Sequence, residues 1–274
     1  MTKSFQIFDG KIRSLKQHLQ LIDLSLTLAC KCCNKEKDNG KNIATTLHAV
    51  SGTHLQLNIP NKTTDIKRTF AYSRRKLNEQ AIIELYRLFS DYISNIVSEL
   101  FKNNPYQLFG AITDKNERAL FYHEIIQLSS YDAIIEEISK RIYRSFEKQR
   151  STPKLLEKII STTKVSISNE IKQDALLYLE IRYLIIHNNS NVDEKFKRMD
   201  KDNKIHITGK KLNMTYDLAN ASMNAVFKLC KSIDTRFYTL DNGTKKNKWR
   251  RNRLNWNRWG GVHHLIKSLL KQNK

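Results

Sequence analysis

The chain has 274 residues, of which 40% are hydrophobic and 9% aromatic, so it is long enough to bury a core and too apolar to be disordered throughout. Its 48 lysines and arginines exceed its 27 acidic residues by 21, a surplus that favours a polyanionic partner such as nucleic acid. It has no run of 18 apolar residues, no apolar core of a secretory signal near its start, and only four cysteines. These features exclude a membrane-spanning protein and a disulfide scaffold, and they predict a cytoplasmic location.

The first 64 residues predict a mixed N-terminal region of unassigned role. Apolar spacing over Lys11–Leu28 predicts a short helix, and alternation over His48–Ile59 predicts a short pair of strands. Between them a predicted loop holds Cys30, Cys32 and Cys33, which are residue types that bind zinc. Their spacing is poor for a zinc knuckle, so a fortuitous cluster is preferred over a metal site, and no metal or other cofactor is predicted.

Residues 65–240 predict an all-α bundle of about five principal helices. The helical segments are 65–103, 116–149 with a break and cap at Ser130, a short stretch after Pro153, a helix from Ser168 or Asn169 to His187, and 217–237. The run Asn188-Asn189-Ser190-Asn191 is typical of a turn and predicts the end of the fourth segment. A small hairpin is predicted around Gly209.

The stretch Ala175–Ile186 is apolar or aromatic except for Glu180 and Arg182. A charge in such surroundings is costly, so it is usually kept for a partner, a structural ion pair or chemistry. Side chains two residues apart on a helix do not face each other, so Glu180 is expected to pair with a basic group on another helix and not with Arg182. Arg182 and His187 point about 140° apart on an ideal helix. They can cooperate only if the helix loosens or ends at His187.

The segment E-I-R-Y-L-I-I-H-N-N-S-N-V-D-E-K-F resembles the motif of the HEPN superfamily, a group of α-helical proteins with an arginine and a histidine separated by four to six residues at the end of a helix. Arg182 and His187 fill this pattern, and Asn188 follows directly. The resemblance covers roughly residues 65–240. It implies an HEPN-like antiparallel helical bundle. The mixed region 1–64 precedes this bundle and a basic extension, 241–274, follows it.

The resemblance also implies a metal-independent endoribonuclease in which two copies of the motif meet across a homodimer interface and form one composite active site. Arg182 would hold the scissile phosphate, and His187 would either accept the proton of the ribose 2′-hydroxyl or protonate the leaving 5′-oxygen. The products would carry 2′,3′-cyclic phosphate and 5′-hydroxyl ends. Asn188 would add a hydrogen bond, and Glu180 and Tyr183 complete the candidate catalytic set. Tyr183 stands where the family often has Asn, Asp or His.

Family analogy further implies a toxin or an anti-phage defence effector, restrained by an antitoxin or another regulatory partner. Toxins paired with a nucleotidyltransferase antitoxin typically have a tyrosine two residues after the histidine, where this chain has Asn189, so that pairing is disfavoured. The alternative is a catalytically inactive HEPN-like module that binds RNA or a partner protein. If the motif has only a structural role, Arg182 forms a buried ion pair with a carboxylate and His187 caps its helix.

The C-terminal segment is basic and aromatic, with ten Lys/Arg and no acidic residue from Thr244 to Lys274. Arginines contact phosphates and tryptophans stack on exposed bases, so this segment predicts contact with single-stranded RNA. The predicted RNA-binding residues are Lys245, Lys246, Lys248, Trp249, Arg250, Arg251, Arg253, Trp256, Arg258 and Trp259. Docking of the three tryptophans on the bundle and contact with an anionic membrane surface are the alternatives.

Overall fold

The computed structural model describes residues 1–38, 63–103, 120–128, 130–147 and 166–237, together with four positions between 154 and 160. Within these ranges the protein is helical apart from one small hairpin, which confirms the all-α class. The helices are α1 (Lys3–Asp38), α2 (Thr63–Asn103), α3 (Tyr122–Gln127), α4 (Tyr131–Glu147), α5 (Asn169–His187), α6 (Glu194–Met199) and α7 (216–237). The strands are β1 (Ile207–Thr208) and β2 (Lys211–Leu212). The strand pair predicted at 48–59 and the basic segment 241–274 lie outside the described residues.

Helix α1 is much longer than the sequence predicted. The prediction of a loop around Cys30, Cys32 and Cys33 is wrong, because the helix continues without a break to Asp38. From Lys11 to Asp38 the chain has neither proline nor glycine, the two residues that break helices most strongly. Cys33 is buried against Ile66 and Phe70 of α2, so apolar contact supports the last turns of α1.

The core forms where α1, α2, α5 and α7 converge. Near the start of α1, the ring of Phe8 lies 5.1 Å from that of Tyr92 in α2, and the ring of Phe5 lies 5.6 Å from that of Phe227 in α7. The hydroxyl of Tyr92 donates a hydrogen bond of 3.0 Å to the backbone oxygen of Cys230 in α7. Full burial of an aromatic side chain contributes about 1.5–3 kcal/mol. Helix α1 therefore shares one core with the bundle that follows it in the chain.

The amino terminus of α1 is tied to two distant helices by carboxylates. Thr2 caps α1, because its Oγ1 accepts a hydrogen bond from the N–H of Phe5 at 3.1 Å. The N–H of Thr2 donates to Asp234 of α7 at 3.0 Å, and the N–H of Ser4 donates to Glu99 of α2 at 3.1 Å. A negative charge is stabilised at a helix amino terminus by the helix dipole. These contacts fix α1 against both α2 and α7.

Two further sequence predictions are confirmed by local hydrogen bonds. Ser130 precedes α4, and its Oγ accepts from the N–H of Ala133 at 3.2 Å, as expected of a cap. The hairpin pairs Ile207 with Leu212 in an antiparallel register, and Gly209 has a positive φ of 63° that suits glycine. Among the described residues, no helix combines the length and the apolar character needed to cross a membrane.

Candidate functional site

Helix α5 ends at His187, where the Asn-rich turn predicted its end. The N–H groups of Asn188 and Ser190 both donate to the backbone oxygen of Leu184, at 3.1 and 2.8 Å. Asn189 and Ser190 have positive φ angles of 50° and 61°. Asparagine tolerates this left-handed region better than most residues do. Two consecutive left-handed residues turn the chain sharply away from the helix axis directly after His187.

This turn is held between α2 and the hairpin. The buried hydroxyl of Ser190 donates to Oε1 of Glu79 in α2 at 3.3 Å. On the other side, the N–H of Leu212 donates to the oxygen of Ser190 at 3.0 Å, and the N–H of Val192 donates to the oxygen of Lys210 at 2.8 Å. The carboxyl end of α5 is therefore fixed by contacts with α2 and with the hairpin.

Glu79 is a buried carboxylate that sequence reasoning missed. It accepts hydrogen bonds from Nε of Arg75 at 2.9 Å and from Nζ of Lys76 at 2.7 Å. Burial raises the pKa of Glu79, but the hydrogen bonds and charges of Lys76 and Arg75 outweigh burial and hold that pKa below its ordinary value. The carboxylate is thus ionised at neutral pH. The spacing of three and four residues from Lys76 and Arg75 was the signal in the sequence.

Arg182 is half-buried and lies on the side of α5 that faces α2. Its guanidinium carbon is 4.8 Å from the centre of the Tyr86 ring, a cation–π arrangement that fixes the side chain without neutralising it. Within the part of the chain that the structure describes, no carboxylate lies within salt-bridge distance of Arg182. Arg182 therefore has no carboxylate among these residues with which to form the buried ion pair of the structural alternative.

Glu180 pairs with a basic group on another helix, as predicted. The side chain of Glu180 is 6% exposed, and Nζ of Lys195 in α6 donates a hydrogen bond to its carboxylate. Lys195 is placed there by a cap at the start of α6, where the carboxylate of Asp193 accepts from the N–H of Phe196 at 2.8 Å. Glu180 thus joins α6 to α5.

His187 and Tyr183 lie one turn apart on the exposed side of α5. Their ring centroids are 4.9 Å apart with the rings tilted by 39°, so the phenol supports one side of the imidazole. Tyr183 is 41% exposed and the neighbouring Ile186 is 44% exposed. Nζ of Lys195 lies 5.8 Å from the centre of the Tyr183 ring. This face presents a histidine beside an aromatic ring, with exposed Ile186 next to it in the chain and an ammonium group near the ring.

The structure brings His187 together with Tyr183, whereas Arg182 lies elsewhere on the helix. Helix α5 stays regular through His187, because the N–H of Asn188 still bonds the oxygen of Leu184 four residues earlier. In a regular helix the side chains of Arg182 and His187 leave about 140° apart. The helix ends at His187 as expected, but its last turn keeps the regular hydrogen bond, so ideal helix geometry directs the two side chains of one chain to different faces.

A cleft of about 490 Å³ lies between α2, the hairpin and the start of α7. Its floor includes Asn78, which is 2% exposed and donates from Nδ2 to the backbone oxygen of Met214 at 3.0 Å. Because Met214 offers an acceptor, the amide must present its NH₂ group there. The remaining atom, Oδ1, is buried and has no hydrogen-bond partner among the described residues. An unsatisfied buried acceptor costs about 1–3 kcal/mol.

The described ranges contain no group of three or more His, Cys, Asp or Glu side chains arranged to hold a metal ion. Cys33 is buried, and burial, followed by the proximity of Cys30 and Cys32, raises the pKa of its thiol. Cys230 lies fully inside the core, and burial raises the pKa of its thiol well above its ordinary value. The predicted RNA-binding residues 245–259 lie outside the described residues.

Comparison of the chain with protein family models, curated proteins and solved structures found no match. A functional assignment therefore rests on the side chains at the end of α5 and on the charge of the chain.

Proposed function

We propose that the protein is a metal-independent endoribonuclease of HEPN type, with Arg182 and His187 as its catalytic residues. The main support is the environment of the Arg182 side chain. Its guanidinium is half-buried and fixed on the Tyr86 ring, and no carboxylate of the described residues lies within salt-bridge distance. A cation kept in this way retains its hydrogen-bond donors for an anionic ligand.

The chemistry follows from the two residue types. The guanidinium of Arg182 binds the scissile phosphate with two parallel hydrogen bonds and stabilises the negative charge that develops on it. The imidazole of His187 accepts the proton of the ribose 2′-hydroxyl and returns a proton to the leaving 5′-oxygen. The RNA then ends in a 2′,3′-cyclic phosphate and a 5′-hydroxyl. Tyr183 and Asn188 act as positioning residues, since one supports the imidazole ring and the other begins the turn that ends α5.

The angle between Arg182 and His187 supports a composite site made by a homodimer. Since the two side chains of one chain point to different faces, a second copy supplies the partner group for each. The surface around His187 suits such an interface, because Tyr183 and Ile186 are large, apolar and more than two-fifths exposed. In a two-fold dimer a contact between His187 of one copy and Arg182 of the other is repeated with the copies exchanged, so one such contact forms two composite sites.

The charge of the chain supports RNA as the substrate. A net charge of +21 attracts a polyanion over long distances. The Trp/Arg-rich segment 241–274 supplies residue types that contact phosphates and stack on bases. The protein acts in the cytoplasm, where its substrate RNA is found. Uncontrolled cleavage of RNA harms a cell, so a regulatory partner or antitoxin restrains it, and its role is that of a toxin or defence effector.

A specific observation favours the second candidate, a catalytically inactive module that binds RNA or protein. Tyr183 occupies a position where the resembled family often has a polar helper, and its ring packs against His187. A packed imidazole at the end of a helix can also be purely structural. In that case RNA would be bound and left intact.

Incubation of the purified full chain with single-stranded RNA in excess chelator tests the proposal. Wild type should cleave and leave cyclic phosphate ends, whereas His187→Ala and Arg182→Ala should each lower the rate by about 10²–10⁴-fold. Arg182→Lys should restore little, because lysine keeps the charge and loses the planar fork. His206→Ala and Lys228→Ala are matched controls, since both residues are exposed and neither is part of α5. RNA that is retained but intact would show the inactive module instead.

Mixing the two inactive variants tests the composite site. A mixed dimer of Arg182→Ala and His187→Ala chains contains one site with both residues intact and one with neither. Random pairing makes half of the dimers mixed, so about one quarter of the wild-type activity should return. No recovery in a mixture shown by sedimentation to exchange subunits would place both residues in a site of a single chain.

A further inference from the structure

We propose that Cys30 and Cys33 of α1 bind a soft monovalent cation, Cu(I), between their sulfur atoms. On a continuous helix, residues three positions apart lie about 60° apart around the axis, and their Cβ atoms are about 5–6 Å apart. Cys30 is half-buried and Cys33 is 4% exposed, whereas Cys32 lies about 160° from Cys30 and is exposed. Two of the three thiols therefore share the side of α1 that packs on α2.

The spacing of this pair favours a bridging ion over a disulfide. A disulfide requires Cβ atoms about 3.5–4.5 Å apart, which is closer than a regular helix holds them, so it forms only if the last turns of α1 distort. A metal–thiolate bond is about 2.3 Å long, and an ion between the two sulfurs spans the wider gap. Helix α1 can therefore stay continuous to Asp38 with the ion bound.

The number of ligands favours Cu(I) over Zn(II). A structural zinc ion takes four ligands, and the described ranges contain no group of three or more His, Cys, Asp or Glu side chains that could hold a metal. Cu(I) prefers soft thiolates and forms stable complexes with two of them. One Cu⁺ and two thiols give a dithiolate complex with one negative charge and release two protons. Copper stays in the +1 state, and no sulfur is oxidised.

The surroundings of Cys30 suit a complex of that charge. Nδ2 of Asn34 donates a hydrogen bond to Sγ of Cys30 at 3.7 Å. Arg74 of α2 is oriented by two hydrogen bonds of 2.7 and 2.9 Å to Asp23. The bond to Asp23 raises the pKa of Arg74, and the nearby Cys30 adds to this, so the guanidinium lies within electrostatic reach of the sulfur. An amide donor and a cation both stabilise a negatively charged sulfur.

Cys33 gives the site an apolar side. Its thiol is buried against Ile66 and Phe70 of α2. Burial raises the pKa of this thiol, so it keeps its proton until a cation replaces it. The apolar side also excludes water, which strengthens the attraction between the cation and the two thiolates.

A titration of the reduced full chain with the Cu(I)–bicinchoninate complex, in the absence of oxygen, tests this inference. Wild type should withdraw one equivalent of Cu(I) from bicinchoninate. Cys30→Ala should lower the affinity at least about 100-fold, because a ligand is lost and even the loss of an outer partner costs about 10–100-fold. Cys32→Ala is the matched control and should bind as wild type does, since its thiol is exposed on the other side of α1. Retention of all Cu(I) by bicinchoninate, or equal losses in the two variants, would refute the site.

Alkylation of wild type by iodoacetamide gives a second measurement that needs no substitution. Bound Cu(I) should slow the reaction of Cys30 and leave the rate at Cys32 unchanged. Mass spectrometry can read the two rates separately, because trypsin cleaves after Lys31 and places the two cysteines on different peptides. Protection of Cys32 alone would place the ion elsewhere, and stronger protection by Zn(II) than by Cu(I) would overturn the choice of ion. Neither measurement involves RNA, so failure here leaves the proposed ribonuclease untouched.

Discussion

Replacing Glu79 by glutamine removes a buried negative charge while keeping the shape of the side chain. The carboxylate accepts hydrogen bonds from Arg75, Lys76 and Ser190 at 2.9, 2.7 and 3.3 Å. A hydrogen bond to a charged group contributes about 1.5–3 kcal/mol, but Arg75 and Lys76 are partly exposed and recover hydration when unpaired. Glu79→Gln should therefore lower the free energy of unfolding by about 1–2 kcal/mol.

Urea unfolding at neutral pH measures this loss. With a slope of about 2–3 kcal/mol per molar urea, the midpoint should fall by roughly 0.3–1 M. Glu84→Gln is the matched control, because Glu84 lies on the same helix and pairs with Arg87 at the surface, where its side chain is 33% exposed. An exposed pair contributes about 0–1 kcal/mol. If Glu84→Gln lowered the free energy of unfolding as much as Glu79→Gln does, burial would not explain the contribution of Glu79 to stability.

The difference in stability between wild type and Glu79→Gln should depend on pH, and the pKa of Glu79 fixes the direction. The pKa of Glu79 in the folded chain lies below its ordinary value of 4.5, because the bonds to Lys76 and Arg75 outweigh burial. Its contribution is therefore complete above about pH 5 and is lost as the pH falls through the folded-state pKa. Wild type and Glu79→Gln should converge in stability as the pH drops below 4.5. A gap that widens on acidification would contradict the assigned direction.

Three further changes test other parts of the structure. Tyr92→Phe removes the buried hydrogen bond to the oxygen of Cys230 and should cost about 1–2 kcal/mol in urea unfolding, so an unchanged midpoint would exclude that bond. Lys195→Met leaves the buried carboxylate of Glu180 without its cation and should cost about 1–3 kcal/mol; a gain in stability would mean that the pair is unfavourable overall. Cys32 is exposed and should react with an aromatic disulfide reagent in the native protein, whereas fast native labelling of Cys230 would contradict its burial in the core.

The sequence predicted those features whose cause is local. Four consecutive asparagine and serine residues after His187 disfavour helix and favour a turn, and α5 ends there. Glu180 in an apolar segment required a cation, and Lys195 of α6 provides it. Gly209 marked the hairpin because glycine adopts positive φ at low cost.

Features that depend on distant contacts could not be predicted from the sequence. Three closely spaced cysteines suggested a loop, but Cys33 is buried against Ile66 and Phe70, and this contact supports a continuous helix. The bond between Ser190 and Glu79 joins residues 111 positions apart. The spacing of Glu79 from Arg75 and Lys76 indicates an ion pair, but exposed pairs have the same spacing, so it does not reveal that Glu79 is buried. The unpaired oxygen of Asn78 exists only because the backbone of Met214 uses the other end of the amide.

The ties between Thr2 and Asp234 also determine when the protein can fold. These residues are 232 positions apart, so the apolar face of α1 that carries Phe5 and Phe8 is completed only by the last described helix. At about 5–20 residues per second, a ribosome needs on the order of ten to fifty seconds to synthesise the intervening chain. During that interval the first helix has only part of its core and exposes aromatic surface. Helix α1 can therefore pack on α2 before α7 is made, and a chain that stops before α7 leaves part of the apolar face of α1 exposed and prone to aggregation.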